Sequence, residues 1–100
     1  MAVDVVLDSK FVIKQGYINT YVLTASTNKE VAIPTGSKYA LFSSENNIWV
    51  RVGGVAAIPS GDTIDGTGSE LNPSLRSLGS ETIIGVISAS AAKLSIVFYL

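Results

Sequence analysis

The chain contains neither cysteine nor histidine. The first absence excludes disulfides and thiolate metal sites. The second removes the commonest general base and the commonest zinc ligand together. Serines are plentiful, yet a Ser-His-Asp arrangement is impossible without histidine, and no Ser-x-x-Lys opens a helix. Charge is scarce as well. Charged residues make up 15% of the chain, against roughly 25% in ordinary soluble domains. Seven Lys/Arg and eight Asp/Glu leave a net charge of −1 with no basic run, so the positive stripe of a nucleic-acid surface is missing. Long hydrophobic runs are missing too. VAAI (55–58) and IIGVI (83–87) fall far short of the ~20 residues a membrane-spanning helix needs. No basic segment followed by an apolar one opens the sequence, which argues against a secretory signal.

What is present is apolar. Apolar residues are 47% of the 100 and the mean hydropathy is +0.41. This length suits one domain, 1–100, with a real core and little room for a second. The apolar excess must be buried inside that domain, between copies of it, or both.

Its arrangement has period two. In AVDVVLD (2–8), Val3, Val5 and Leu7 share one face and Asp4 and Asp8 the other. FVIK (11–14), YINTYVLTA (17–25), KEVAI (29–33), KYALFSS (38–44), IWVRV (48–52), TIIGVIS (82–88) and KLSIVFYL (93–100) follow. These segments are short, rich in Val, Ile, Thr and aromatics, and separated by Gly, Pro, Asn or Ser. That pattern predicts an all-β domain, and about eight strands in this length suggest a jelly-roll-like two-sheet sandwich. No window of a dozen residues keeps a 3.6 period. Pro34-Thr35-Gly36 presets a turn, and Glu45-Asn46-Asn47 reads as a hairpin loop. IIGVI is apolar on both parities, as a strand covered on both faces would be. Both ends read as strand, and an ending of Phe98-Tyr99-Leu100 requires pairing in a sheet or cover by a neighbour.

One long segment, 53–79, breaks the pattern and reads as an ordered loop that packs. Within it, Asn72-Pro73 followed by Gly79 predicts a helical turn over 73–78, with Leu71, Leu75 and Leu78 on one surface. Asp62, Asp65 and Glu70 are oxygen ligands near glycines. Their spacing does not make an EF-hand loop, and acids in such turns more often bind their own backbone. Gly66-x-Gly68 lacks the third glycine of a dinucleotide fingerprint, and Gly36-Ser37-Lys38 lacks the upstream glycine of a phosphate loop. No catalytic, cofactor or metal site is expected. In IWVRV, Ile48, Val50 and Val52 line the inner face, so Trp49 and Arg51 emerge together on the other. Two readings of that pair stand. Either the long loop covers Trp49 and a loop acid such as Asp62 or Glu70 takes Arg51, or the pair contacts another subunit.

The stretches VAIPTGSKYALFSSENNIWVRVGG and SELNPSLRSLGSETIIGVISASAAKLSIVFYL resemble small virion structural proteins of tailed bacteriophages, of the capsid cement or decoration type. The elements that carry the resemblance are Ile33-Pro34-Thr35-Gly36, Trp49-Val50-Arg51, Gly68-Ser69-Glu70-Leu71-Asn72-Pro73 and the final strand Ile96 through Tyr99. It spans about two thirds of the chain, chiefly the C-terminal part. It implies a β-rich, non-enzymatic homo-oligomer, a trimer, made in the host cytoplasm. On the capsid surface it would bridge subunits of the major capsid protein, with no cofactor, nucleic acid or membrane as partner. Expected contact residues are Trp49, Arg51, Leu71, Leu75, Arg76 and Leu78. One alternative is a tail, neck or fibre-tip module that binds a host glycan, through Tyr17, Tyr21 and Trp49, or other virion proteins. Another is an enzyme or regulator made in the infected cell.

Overall fold

The computed structural model describes residues 15–100. The expected strands at 2–8 and 11–14 lie outside them. Eight strands form among the described residues: β1 (Gln15–Leu23), β2 (Lys29–Ala32), β3 (Tyr39–Ser44), β4 (Trp49–Val52), β5 (Glu70–Leu71), β6 (Leu75–Ser77), β7 (Ile83–Ile87) and β8 (Ala92–Tyr99). They make two four-stranded antiparallel sheets, ordered β1-β8-β3-β6 and β2-β7-β4-β5.

The order has a simple origin. β1 pairs with β8, β2 with β7, β3 with β6 and β4 with β5. The described chain is therefore one long antiparallel ribbon, doubled back at residues 53–69. Successive pairs of the ribbon fall alternately into the two sheets, and the contacts β3–β8 and β4–β7 close each sheet. A ribbon rolled in this way is a jelly roll. The last strand, β8, lies inside its sheet between β1 and β3.

Period two then builds the core. Phe98 faces Ala40, Ile96 faces Phe42 and Leu23 faces Ala92 on the inner side of one sheet. Val31 faces Ile84 and Val50 faces Val86 on the inner side of the other. These residues, with Ile48, Leu78 and Leu94, form a single buried cluster. The turn at Pro34 is as expected: Ser37 N–H donates to the Pro34 carbonyl at 3.1 Å, and Gly36 takes φ +88°. That φ is open to glycine and costly for residues with a Cβ.

The long loop differs in detail from expectation. Residues 70–71 and 75–77 are strands, so the connection between strands shortens to 53–69, and the helical turn over 73–78 does not form. Asn72 is the reason. It adopts φ +48°, a left-handed turn rather than a helix cap, and residues 75–77 beyond it pair with β3. Its N–H donates to the Ile48 carbonyl and its Oδ1 accepts the Ile48 N–H, each at 2.9 Å, while its Nδ2 donates to Asn47 Oδ1. The side chain thus extends the β4–β5 ladder beyond the end of β5. Asparagine suits this place because it tolerates the left-handed region and carries both donor and acceptor. Replacing Asn72 with alanine is expected to lower unfolding stability by about 1–3 kcal/mol, since the N–H of the buried Ile48 loses its acceptor. Equilibrium denaturation checks this, and Asn72→Gly should recover only the backbone part.

Candidate interaction surface

The two sheets differ on their outer sides. On the β2-β7-β4-β5 sheet, the loop after β4 folds back across β7. Gly53 N–H donates to the Ile83 carbonyl at 2.8 Å, and Ala56 N–H donates to Asn28 Oδ1 at 2.9 Å. The crossing point is Gly85, where an added Cβ would stand 2.6 Å from the Ala56 nitrogen and closer still to the Gly54 carbonyl. Ala56 is buried there. Ser69 Oγ accepts the Ala57 N–H at 3.0 Å, pinning the returning limb of the loop to the outgoing one. The loop therefore covers the middle of this sheet, at Gly85.

The β1-β8-β3-β6 sheet has no such cover among the described residues. Its outer side carries a row of apolar side chains in direct register across all four strands: Ile18, Val97, Leu41 and Leu75. Ile18 is 58% exposed and Leu75 38%, and Val22 at the next outward position but one on β1 is 71% exposed. On one flank of the row stand Tyr99 and Tyr39, paired across β8 and β3. On the other lie Thr20, Ser95 and Ser43, small hydroxyl side chains in register. Their shortness leaves a shallow groove of about 520 Å³ bounded by Val22 and Lys93. Lys93 and Glu45, the charged residues lining this groove, sit together at its end, Lys93 opposite Val22. A continuous apolar face of this kind on a small domain is a signature of an interaction site.

The expected contact residues scatter over the molecule. Leu75 lies on the open face. Trp49 and Leu71 are paired with each other on the outer side of the opposite sheet. Arg51 lies against Gly54 at the start of the loop and borders a hollow with Asp62. Leu78 is 1% exposed and belongs to the core, so its role is packing. Arg76 binds Glu70, with its Nε 2.8 Å from Glu70 Oε1 and its Nη2 also on the carboxylate. Each projects from the edge strand of its own sheet on the side of the core, since Arg76 is in register with Ala40 and Glu70 with Val50. The pair therefore bridges the two sheets along one open edge, and Glu70 is not the partner of Arg51.

The acids of the loop do not converge. Asp65 Oδ1 accepts the Thr67 N–H at 3.1 Å and its hydroxyl at 2.6 Å, the turn geometry expected of an acid bound to its own backbone. Among the described residues no three carboxylates are grouped to hold a metal ion. The rings Tyr17, Tyr21 and Trp49 do not share a surface either. Tyr17 and Tyr21 take the core-facing parity of β1, where Tyr21 packs on the core, and Trp49 faces outward on the other sheet.

Hydrogen bonds from Thr67 hold the Asp65 carboxyl below its usual range, and the Arg76 hydrogen bond does the same for Glu70. A carboxylate depressed in the folded state stabilises above its unfolded pKa, and the contribution is lost as pH falls through the folded value. The thermal midpoint should therefore decline once pH drops below about 4. Glu70→Gln should flatten part of that decline in a pH series followed by circular dichroism. Both groups are exposed, so the change will be small.

Comparison with known proteins adds no relative: no family model, no curated protein and no solved structure matches the chain.

Proposed function

We propose that this chain is a non-enzymatic structural protein of a bacteriophage virion, of the cement or decoration type. It works by self-association and by attachment to the major capsid protein at the capsid surface. The observation that carries the proposal is the open apolar row Ile18–Val97–Leu41–Leu75 on a domain whose other sheet is crossed at Gly85 by the loop 53–57. Such a face leaves apolar area in water unless another surface closes over it, at roughly 25 cal/mol per Å². The sequence resemblance supplies the virion setting. The segment Gly68–Pro73 that carries much of it has a structural task in this molecule, because Ser69, Glu70 and Asn72 tie the loop, the sheet edge and the β4–β5 ladder. Weak contacts repeated over a capsid lattice add up to durable attachment through effective concentration.

The test is where the protein resides. It is expected in purified particles by mass spectrometry and in the head fraction after heads and tails are separated. Absence from particles, or confinement to tails, would overturn the proposal.

A further inference from the structure

We propose that the occupant of the open face is the same face of a second copy, related by a two-fold axis that runs along the row Ile18–Val97–Leu41–Leu75. This rests on the self-association in the functional reading and gives it a geometry, a pair in place of the trimer that the resemblance implies. Three observations support it.

The first is relief. On the two central strands, the outward columns are Tyr99–Val97–Ser95 and Tyr39–Leu41–Ser43, in register with each other. A ridge of two tyrosines and a trough of small hydroxyl residues thus lie at equal distances on either side of the apolar row, about 7 Å along the strands. A two-fold axis along the row places the ridge of each copy over the trough of the other. Tyr39 then faces Ser43 of the second copy and Tyr99 faces its Ser95, while the apolar rows meet at the axis. Stacked sheets lie about 10 Å apart, a gap that one long and one short side chain fill together. The tyrosine hydroxyls also arrive among hydroxyl groups able to pair with them. An axis along the strands would instead set ridge on ridge.

The second is area. Strands of these lengths, at about 3.4 Å per residue and about 4.8 Å apart, tile roughly 400 Å². Two faces come to roughly 800 Å² before any rim contact is added, the size of a weak, transient contact. That fits a pair that forms in the micromolar range, and not a permanent dimer.

The third is charge. Lys93 lies at the end of the face, beyond the hydroxyl row. The two-fold carries the two copies of Lys93 to opposite ends of the contact, so they do not oppose each other. Two twisted sheets of one hand also stack readily at about −30°, as they do inside sandwiches.

Sedimentation equilibrium on the full chain from micromolar to several hundred micromolar tests the proposal. The expected mass rises toward twice 10.5 kDa. A single-chain mass throughout, or a limiting mass three times that of one chain, would overturn it. Ser43→Trp separates this geometry from general stickiness. It fills the trough at an exposed position, so the dimer should weaken at least tenfold although the face has become more apolar. Unchanged or tighter association would overturn the ridge-in-trough arrangement. Ile18→Lys, also exposed, should likewise dissociate the pair, with circular dichroism confirming that both variants fold. The lack of cysteine permits a third arm. Leu41→Cys, near the axis, should be joined between copies by a short bismaleimide, whereas Ile64→Cys in the loop, 94% exposed, should not; the reverse result would overturn the proposal. A dimer that is absent from particles would sink the virion reading alone, and a particle-borne monomer would sink the self-association and its two-fold geometry while leaving the virion setting.

Discussion

Replacing Phe98 with alanine is expected to cost about 3–5 kcal/mol of unfolding free energy, out of a total of about 5–15 for a domain of this kind. Phe98 is fully buried. The position in the sheet explains this. β8 is flanked by β1 and β3, so its inward side chains Leu94, Ile96 and Phe98 form the floor of the core. Phe98 is in register with Ala40, and the small alanine leaves the space that the ring occupies. Truncation there opens a cavity that the flanking strands cannot collapse to fill, because both are fixed by ladder hydrogen bonds. Urea denaturation measures the loss. A cost below about 1 kcal/mol would mean that the ring is not packed between the sheets as described. Deleting Ile96–Leu100 should go further and prevent folding, since β1 would then have no partner over half its length.

The second large effect is at Gly85. A valine there would place its side chain against the Gly54 carbonyl and the Ala56 amide, on the outer side of β7. Backbone is the obstacle, so no rotamer relieves the clash. The segment 53–57 must lift, which breaks the Ala56–Asn28 and Gly53–Ile83 hydrogen bonds and exposes Ala56. A loss of about 1–3 kcal/mol is expected from the overpacking alone. Hydrogen exchange should show which part gives way: the amides of Gly53 and Ala56 should exchange faster, and those of β8 should not. Equal acceleration in both places would show that the loop is not the cover of this sheet.

Much of the fold was legible because alternation has one physical cause. A strand with one side in the core must put apolar residues at every second position. Residues 17–25, 29–33, 38–44, 48–52, 82–88 and 93–100 all show this, and each overlaps a strand of the structure. β5 and β6 escaped notice because two or three residues cannot display a period, and Gly, Asn and Pro around them resemble loop. Asn72-Pro73 resembled a helix start for a related reason. The same residues that cap helices also take the left-handed turn seen here, and the choice falls to Ile48, which lies twenty-four positions away.

The open face was illegible for a deeper reason. Both parities of β8 are apolar, Ile96 and Phe98 on one and Val97 and Tyr99 on the other, just as both parities of IIGVI are. The two segments have opposite fates. Gly85 and its neighbours lie under the loop 53–57, and Val97 and Tyr99 do not. Pattern shows that a strand has two greasy sides without showing what lies over either. Of the expected contact residues, Leu75 stands on the face, whereas Leu78, three positions on, is core.

Composition and alternation by themselves determined that this chain builds two β layers without cysteine or histidine chemistry, because burial and side-chain inventory are local properties. Only the tertiary structure decided which strands are neighbours, that β8 is central, that Arg76 and not Arg51 takes Glu70, and which sheet is left open among the described residues. Those outcomes depend on pairings between residues as far apart as Tyr17 and Phe98. Such contacts are fixed by the closing of the whole ribbon, and no short window of sequence contains both partners.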